Sequence, residues 1–260
     1  CKINEGKGKV TIVMDSQAGS CGKGKFIGYL ARKDNINVAI NNFMSNAGHT
    51  FMYDDGTKVI TQHLPTSIVN DDTILMIGPG AAITPEILIN EIIKYQSIIG
   101  HRKIVIHPRA VLILEEHRDI ERKTIRSGST FKGCGAAQSC KIMRGNDVVL
   151  IGSNTGRLIL TKLIHYIADN DLMAEYLLDR IVIDDTGAMI NNFIDDGDSV
   201  IVEGSQGFDL DINYGLDYPH TTSRQCHAGQ LLADCGISPR LVDDIIMIMK
   251  ELGTLITTNY

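Results

Sequence analysis

No apolar run in the 260-residue sequence reaches the roughly 18 residues that a membrane-spanning helix requires, and no charged-then-apolar signal segment opens the chain. The first absence excludes a single-span membrane anchor, and the second predicts a protein that stays in the cytoplasm. Excess positive charge is lacking too: 25 Lys and Arg stand against 31 Asp and Glu, for a net charge of -6 and a pI of about 5.7. Nucleic-acid binding through phosphate neutralisation needs a clustered excess of basic residues, so no nucleic-acid partner is expected. A small anionic ligand needs only a local basic site. The six cysteines (Cys1, Cys21, Cys134, Cys140, Cys226, Cys235) include no paired C-x-x-C, and no histidine spacing completes a zinc site. Reduced thiols follow. Repeats, low-complexity tracts and clear linkers are also missing, which predicts one elaborated domain over residues 1–260. The chain begins at Cys1 without an initiator Met and stops at Thr257-Thr258-Asn259-Tyr260 directly after an apolar stretch, so residues are expected to be missing at both ends.

What is present is 43% hydrophobic sequence, enough at this length for one large core. Apolar runs alternate with helix-period segments, the pattern of an α/β fold with a mostly parallel central sheet flanked by helices. A strand over Val10 to Met14 leads through a glycine-lysine loop into a helix from about Gly24 to Arg32, and a second strand follows near Val38 to Asn41. Phe51-Met52-Tyr53 and Lys58-Val59-Ile60 flank Asp54-Asp55-Gly56, which predicts a hairpin. Thr84-Pro85-Glu86 opens a helix, the Thr side chain accepting an orphan N–H and the Pro fitting the first turn. Strands are expected at Ile104 to Ile106 and Ile181 to Ile183, and helices over Glu115 to Thr124 and Arg157 to Leu177. Ser199 to Glu203 reads as a buried strand leading into Gly204-Ser205-Gln206-Gly207. The Gly-, Ser- and Lys-rich stretch between Arg126 and Asn146 reads as a functional loop, too long and polar for a plain connector.

Gly19-Ser20-Cys21-Gly22-Lys23-Gly24-Lys25 satisfies G-x-x-x-x-G-K after a buried strand and before a helix. Backbone N–H groups there can surround phosphate oxygens, the helix dipole favours the anion, and Lys23 or Lys25 can supply a compact positive charge. Phe26 follows Lys25 where a Walker loop needs Ser or Thr for magnesium, so this is not an ordinary Walker loop. By themselves the glycines are also compatible with a tight turn. A second cluster, Asn46-Ala47-Gly48-His49-Thr50, sets small residues beside a histidine, which suits close approach to a substrate or a satisfied core histidine alike.

Together, Gln17 to Lys25, Asn46 to Thr50 and Glu203 to Gly207 resemble the signatures of the adenylosuccinate synthetases. The similarity continues through Ile77-Gly78-Pro79-Gly80, Gly128-Ser129-Thr130, Lys141-Ile142-Met143-Arg144 and Thr221-Thr222-Ser223. It covers nearly all of the chain but not the family's C-terminal part, with its guanine-recognition and aspartate-binding segments. The resemblance implies a P-loop-related fold. It also implies a ligase that phosphorylates the 6-oxygen of a purine nucleoside monophosphate and then displaces that phosphate with the amino group of L-aspartate. It assigns the triphosphate to Gly19, Cys21, Gly22, Lys23, Gly24, Gly48, His49 and Thr50. The purine monophosphate falls to Ser20, Asn46, Ser129, Thr130, Arg144, Gln206 and Thr221. Magnesium (Mg2+) falls to the backbone carbonyl of Gly48, with Ser20 a weak second ligand. His49 is the histidine that stabilises charge on the 6-oxygen, a role suited to a group titrating near neutrality, and it is paired with Ser20 as the catalytic set. Arg144 implies a homodimer, because it matches an arginine that reaches the neighbouring subunit's substrate.

One departure bears on the substrate. The family carries G-D-E-G-K-G-K, whose Asp is general base for the purine N1 proton and a magnesium ligand; here Ser20 stands at that position, Cys21 replaces the Glu, and Ala18 replaces a Trp. A neutral serine leaves room for a guanine 2-amino group and can accept its hydrogen bond. This pattern is similar to the bacteriophage branch of the family, which acts on dGMP with ATP or dATP to make the precursor of 2-aminoadenine DNA; for such a protein the location is the host cytoplasm. The alternatives are an ordinary enzyme using IMP and GTP, and an inactive module that binds nucleotide.

Overall fold

The computed structural model describes residues 6–125, 128–145 and 147–250. In chain order the elements are β1 (Val10–Asp15), α1 (Lys23–Lys33), β2 (Val38–Asn41), β3 (His49–Met52), β4 (Lys58–Thr61), β5 (Ile74–Ile77), β6 (Ala82–Ile83), α2 (Pro85–Lys94), α3 (Gln96–Ile99), β7 (Ile104–Ile106), β8 (Val111–Leu112), α4 (Glu115–Thr124), α5 (Cys134–Met143), α6 (Asn154–Ile167), α7 (Asp171–Arg180), β9 (Ile181–Ile183), α8 (Thr186–Asp195), β10 (Val200–Gly207), α9 (Ala228–Cys235) and β11 (Val242–Ile248). Seven strands form one sheet in the order β11-β1-β10-β2-β5-β7-β9, and every pairing in it is parallel.

Both faces of this sheet are buried, which is why its central strands read as unbroken apolar runs. Val10, Ile12 and Met14 of β1 join Val38, Ile40, Val200 and Val202 against Ile190 and Ile194 of α8 and Leu231 and Leu232 of α9. Val13, Ala39 and Ile201 point the other way, onto Ile27 and Ala31 of α1. Farther along the sheet, Leu75, Ile77, Ile104 and Ile106 pack with Leu88 and Ile92 of α2, Leu160 and Ile164 of α6, and Leu177 of α7. Each such side chain, fully buried, contributes about 1.5–3 kcal/mol of transfer free energy.

β10, late in sequence, lies between β1 and β2. The chain therefore reverses its direction of travel across the sheet there, and the carboxyl ends of β1 and β10 open the crevice where ligands settle in such sheets. A hairpin of β3 and β4 pairs Phe51 with Val59, and Gly56 at φ +87° makes its turn, as the sequence predicts.

Four expectations need correction. The stretch after Gly128 is not one long loop: Gly133 at φ +82° starts α5, because the buried Glu121 carboxylate from α4 accepts the N–H groups of Gly133, Gly135 and Ala136. Arg126 and Asn146, which bound that predicted loop, lie outside the described residues, as do the calls on Cys1 and on Thr257 to Tyr260. The helix expected over Arg157 to Leu177 is two helices, divided where the Asn170 side chain accepts the Met173 N–H and caps α7. Thr84 precedes α2, but its hydroxyl meets Ser45 Oγ at 2.6 Å instead of capping the helix. Gly204 to Gly207 does not follow the strand but completes it.

Candidate active site

The glycine loop leaves β1 at Asp15 and enters α1 at Lys23. Gly22 adopts φ +92°, a conformation that only glycine reaches without strain, and so turns the chain into the helix. Gly24 packs its Cα onto the backbone of Thr50; a Cβ there would lie 2.7 Å from both the Thr50 nitrogen and oxygen. The two sequence clusters that carry the resemblance thus touch, which no spacing in the sequence states. Gly207 has the same office on the other side, since a Cβ would strike the Gln17 carbonyl at 1.9 Å.

Lys23 is buried and Lys25 exposed. Lys23 Nζ donates to Asp15 Oδ2 at 2.5 Å, both side chains being about 5% exposed or less. Burial raises the Asp15 carboxyl above its usual range, against the opposing pull of Lys23. The second oxygen, Oδ1, is buried with no hydrogen-bond partner. From beyond β11, Lys250 donates its backbone N–H to Gln17 Oε1 and its ammonium to the Ala18 carbonyl, each at 2.7 Å. Ser20 is exposed at the loop's tip. Burial, with Asp15 next in effect, raises the Cys21 thiol, which donates to the Gln17 carbonyl.

His49 starts β3, stacked on Phe43 with ring centroids 4.1 Å apart. Its Nε2 is buried and unpartnered. Burial, then the charge of Lys23, lowers its pKa well below the usual value. Where the resemblance implied a group titrating near neutrality, burial disfavours the charged imidazolium of His49, and a neutral imidazole can donate one hydrogen bond and accept another. His63, equally buried and lowered to about 3 by burial, is a structural contrast, its Nε2 engaged by Ser45 Oγ and the Thr84 N–H.

A cavity of about 760 Å3 is lined by Gln206, whose neighbour Gly207 packs on Gln17, but by no residue of the glycine loop itself. Of the monophosphate residues named from sequence, Asn46, Ser129, Thr130, Gln206 and Thr221 all line it. Ser20 and Arg144 do not. Arg144 sits exposed at the end of α5 with φ +56°. Gln206 also holds a positive φ, +63°, and its amide nitrogen donates to Asn46 Oδ1 at 3.3 Å. The loops carrying Ser129 and Thr221 close on each other because Gly128, at φ +76°, lets the His220 backbone approach; a Cβ would meet His220 Cα at 3.0 Å.

Several residues here escape sequence reasoning. Thr222 lines the cavity with a buried, unpartnered hydroxyl, one position beyond Thr221. Asp15 carries a visible signal, an acid ending an otherwise apolar strand. Lys250 carries none, since only the sheet order brings it to the loop.

A family model for adenylosuccinate synthetase matches residues 12–257. The chain belongs to the adenylosuccinate synthetase family. It is 34% identical over 260 residues to the N6-succino-2-amino-2'-deoxyadenylate synthase of Salmonella phage PMBT28, covering 97% of this chain and 67% of that protein. It is also 34% identical over 249 residues to the adenylosuccinate synthetase of Methanococcus vannielii, covering 94% and 66%. Among solved structures, the cyanophage S-2L succinoaminodeoxyadenylate synthetase (PurZ) bound to dGMP and dATP as an energy donor superposes with a TM-score of 0.76 at 29% identity, over 94% of this chain and 64% of that one. Fully ligated adenylosuccinate synthetase from Plasmodium falciparum superposes at 0.73 with 23% identity, over 93% and 61%, a likeness of fold. The chain spans about two thirds of the length of these relatives. No helix among the described residues is long and apolar enough to cross a membrane.

Proposed function

We propose that the protein joins L-aspartate to the 6-position of dGMP, driven by ATP or dATP through a 6-phosphoryl intermediate, to give N6-succino-2-amino-2'-deoxyadenylate. The observation that carries this reading is the cavity in which Asn46, Ser129, Thr130, Gln206 and Thr221 converge, together with a glycine loop whose family aspartate is Ser20. The hydroxyls of Ser129, Thr130 and Thr221, with that of Thr222, suit the oxygens of a monophosphate, and the Gln206 amide suits the edge of an oxopurine. Lys23 and the loop amides suit the triphosphate. Phosphoryl transfer asks mainly for positioning and charge neutralisation, and neutral His49 adds a hydrogen bond to the 6-oxygen as charge builds there.

Magnesium fits this arrangement in a limited sense. Among the described residues no three His, Cys, Asp or Glu side chains gather to hold a metal, but magnesium normally rides on phosphates and takes one or two protein oxygens. Gly48 is exposed just before β3, where its carbonyl could serve, and Ser20 is exposed at the tip of the glycine loop. The ion would neutralise charge on the transferring phosphoryl group. A homodimer completes the reading, with Arg144 free at the surface to reach a second copy's monophosphate, and the setting is the cytoplasm of a phage-infected host.

The test supplies dGMP, dATP or ATP, L-aspartate and magnesium to the full-length protein and follows the succino-nucleotide by mass. Product from dGMP is expected. Turnover of IMP with GTP and not of dGMP would replace this reading with the ordinary synthetase. Binding of nucleotides without turnover of either pair would leave a nucleotide-binding module.

A further inference from the structure

Ser20 leaves the glycine loop without the carboxylate that the family's chemistry uses, yet a carboxylate is buried in the same loop five residues earlier. We propose that Asp15 is the group that removes the purine N1 proton, an inference that rests on the ligase reading above.

Its placement carries the case. Asp15 ends β1 and pairs with Gly207 on β10 across a shift in register after Val13; Gly207 is the neighbour of Gln206, which lines the proposed monophosphate cavity. On its other side it holds the loop lysine, Lys23, at 2.5 Å. Asp15 thus stands between β10, whose Gln206 lines the cavity, and the phosphate loop that its strand feeds. Only one of its oxygens is used. Among the described residues, Oδ1 is the sole buried carboxylate oxygen without a hydrogen-bond partner. Other acids nearby are committed: Glu203 to Thr66 and Ser67, Glu121 to the first turn of α5, and Asp209 to the Ala18 N–H. The groups whose charge or titration bears on Asp15 are Lys23, Lys250 and the Cys21 thiol. Burial raises Asp15 despite both lysines, which moves a carboxylate toward the basicity a proton acceptor needs.

The step balances as follows. Oδ1 takes the N1 proton; the N–H electron pair forms the N1–C6 double bond, and the C6–O6 π pair goes to O6. O6 bonds to the γ-phosphorus, and the bond from that phosphorus to the β,γ-bridging oxygen breaks, releasing the nucleoside diphosphate. The proton stays on Asp15 until the 6-phosphate departs and takes it.

The experiment is positional isotope exchange of β,γ-bridge-labelled ATP with dGMP and no L-aspartate, which reads phosphoryl transfer alone. Asp15→Asn is expected to lower exchange by about 100-fold or more, to abolish the acid limb of the kcat/KM profile, to leave dGMP affinity within about threefold and to leave ATP affinity no weaker. Asp15→Asn/Ser20→Asp, which returns a carboxylate to the family position, is expected to recover at least tenfold. Should D15N not fold, Asp15→Glu keeps the pair with Lys23 while displacing the free oxygen by one methylene, and the same loss of exchange is expected. Exchange within threefold of wild type, or a loss fully accounted for by weaker ATP binding, overturns the assignment and leaves Asp15 as a partner of Lys23 alone. Absence of any exchange or product in the wild type overturns the ligase reading and this one with it.

Discussion

The glycine loop and the cavity are built in opposite ways. The loop is closed on itself: Lys23 is paired with Asp15, the Ala18 carbonyl with Lys250, and the Ala18 N–H with Asp209. The cavity gathers hydroxyls from separate loops: Ser129 Oγ contacts Glu121 and accepts the Phe131 N–H, while the buried Thr222 hydroxyl has no hydrogen-bond partner. On the proposed reading the cavity side chains are already gathered, while a triphosphate reaching Lys23 would compete with Asp15 for it. Binding energy from one side and rearrangement on the other divide the work between recognition and chemistry.

The largest break in that division comes from His49→Asn. It removes a donor placed for charge developing on the 6-oxygen, and turnover is expected to fall by about 10^2–10^3, with dGMP affinity by calorimetry unchanged. Equal losses in affinity and turnover would move His49 into the recognition half. Next in size, Lys23→Met strands a buried carboxylate and is expected to cost about 3 kcal/mol in urea unfolding, with triphosphate affinity reduced at least tenfold. Lys23→Met/Asp15→Asn should regain most of the stability and none of the affinity. Asp15 has a folded-state pKa raised above its unfolded value near 3.8. Its contribution to stability is thus fully present below that value and is lost as pH rises through the folded one. The K23M deficit should accordingly be smallest in acid. Thr222→Val gives the smallest effect, about a five- to tenfold weaker hold on the monophosphate, with triphosphate affinity and thermal stability unchanged because the buried hydroxyl has no hydrogen-bond partner within the fold. A clear loss of stability would show that Thr222 holds the fold.

Much of the sheet is legible before folding. β7 begins and ends where its apolar run does, because a central parallel strand buries both faces; β2 runs one residue past its apolar run to the buried Asn41, and β9 matches its run although it is a half-buried edge strand. Helix ends are less legible. Asn170 looks like a residue inside a helix until its side chain is seen capping α7, and α5 is invisible in a Gly-rich segment because its first turn is satisfied by Glu121, a dozen residues upstream. Thr84 has the composition of a cap, yet a buried Ser45 outcompetes the helix for its hydroxyl. For the site, the residues of the cavity can be named one by one from motif resemblance, and five of them converge. Asp15 and Lys250 belong to no motif recognised in the sequence, and their importance depends on neighbours brought in by β10 and β11.

By itself the sequence determined the α/β class, the glycine loop between a buried strand and a helix, and family membership, since these rest on local periodicity and short-range spacing. Only the tertiary structure decided that Lys23 and not Lys25 is the buried cation, that His49 is neutral, and that a carboxylate survives in the loop at Asp15. The charge state and pairing of those groups are set by desolvation and by partners distant along the chain, and such quantities come into being only when the sheet assembles.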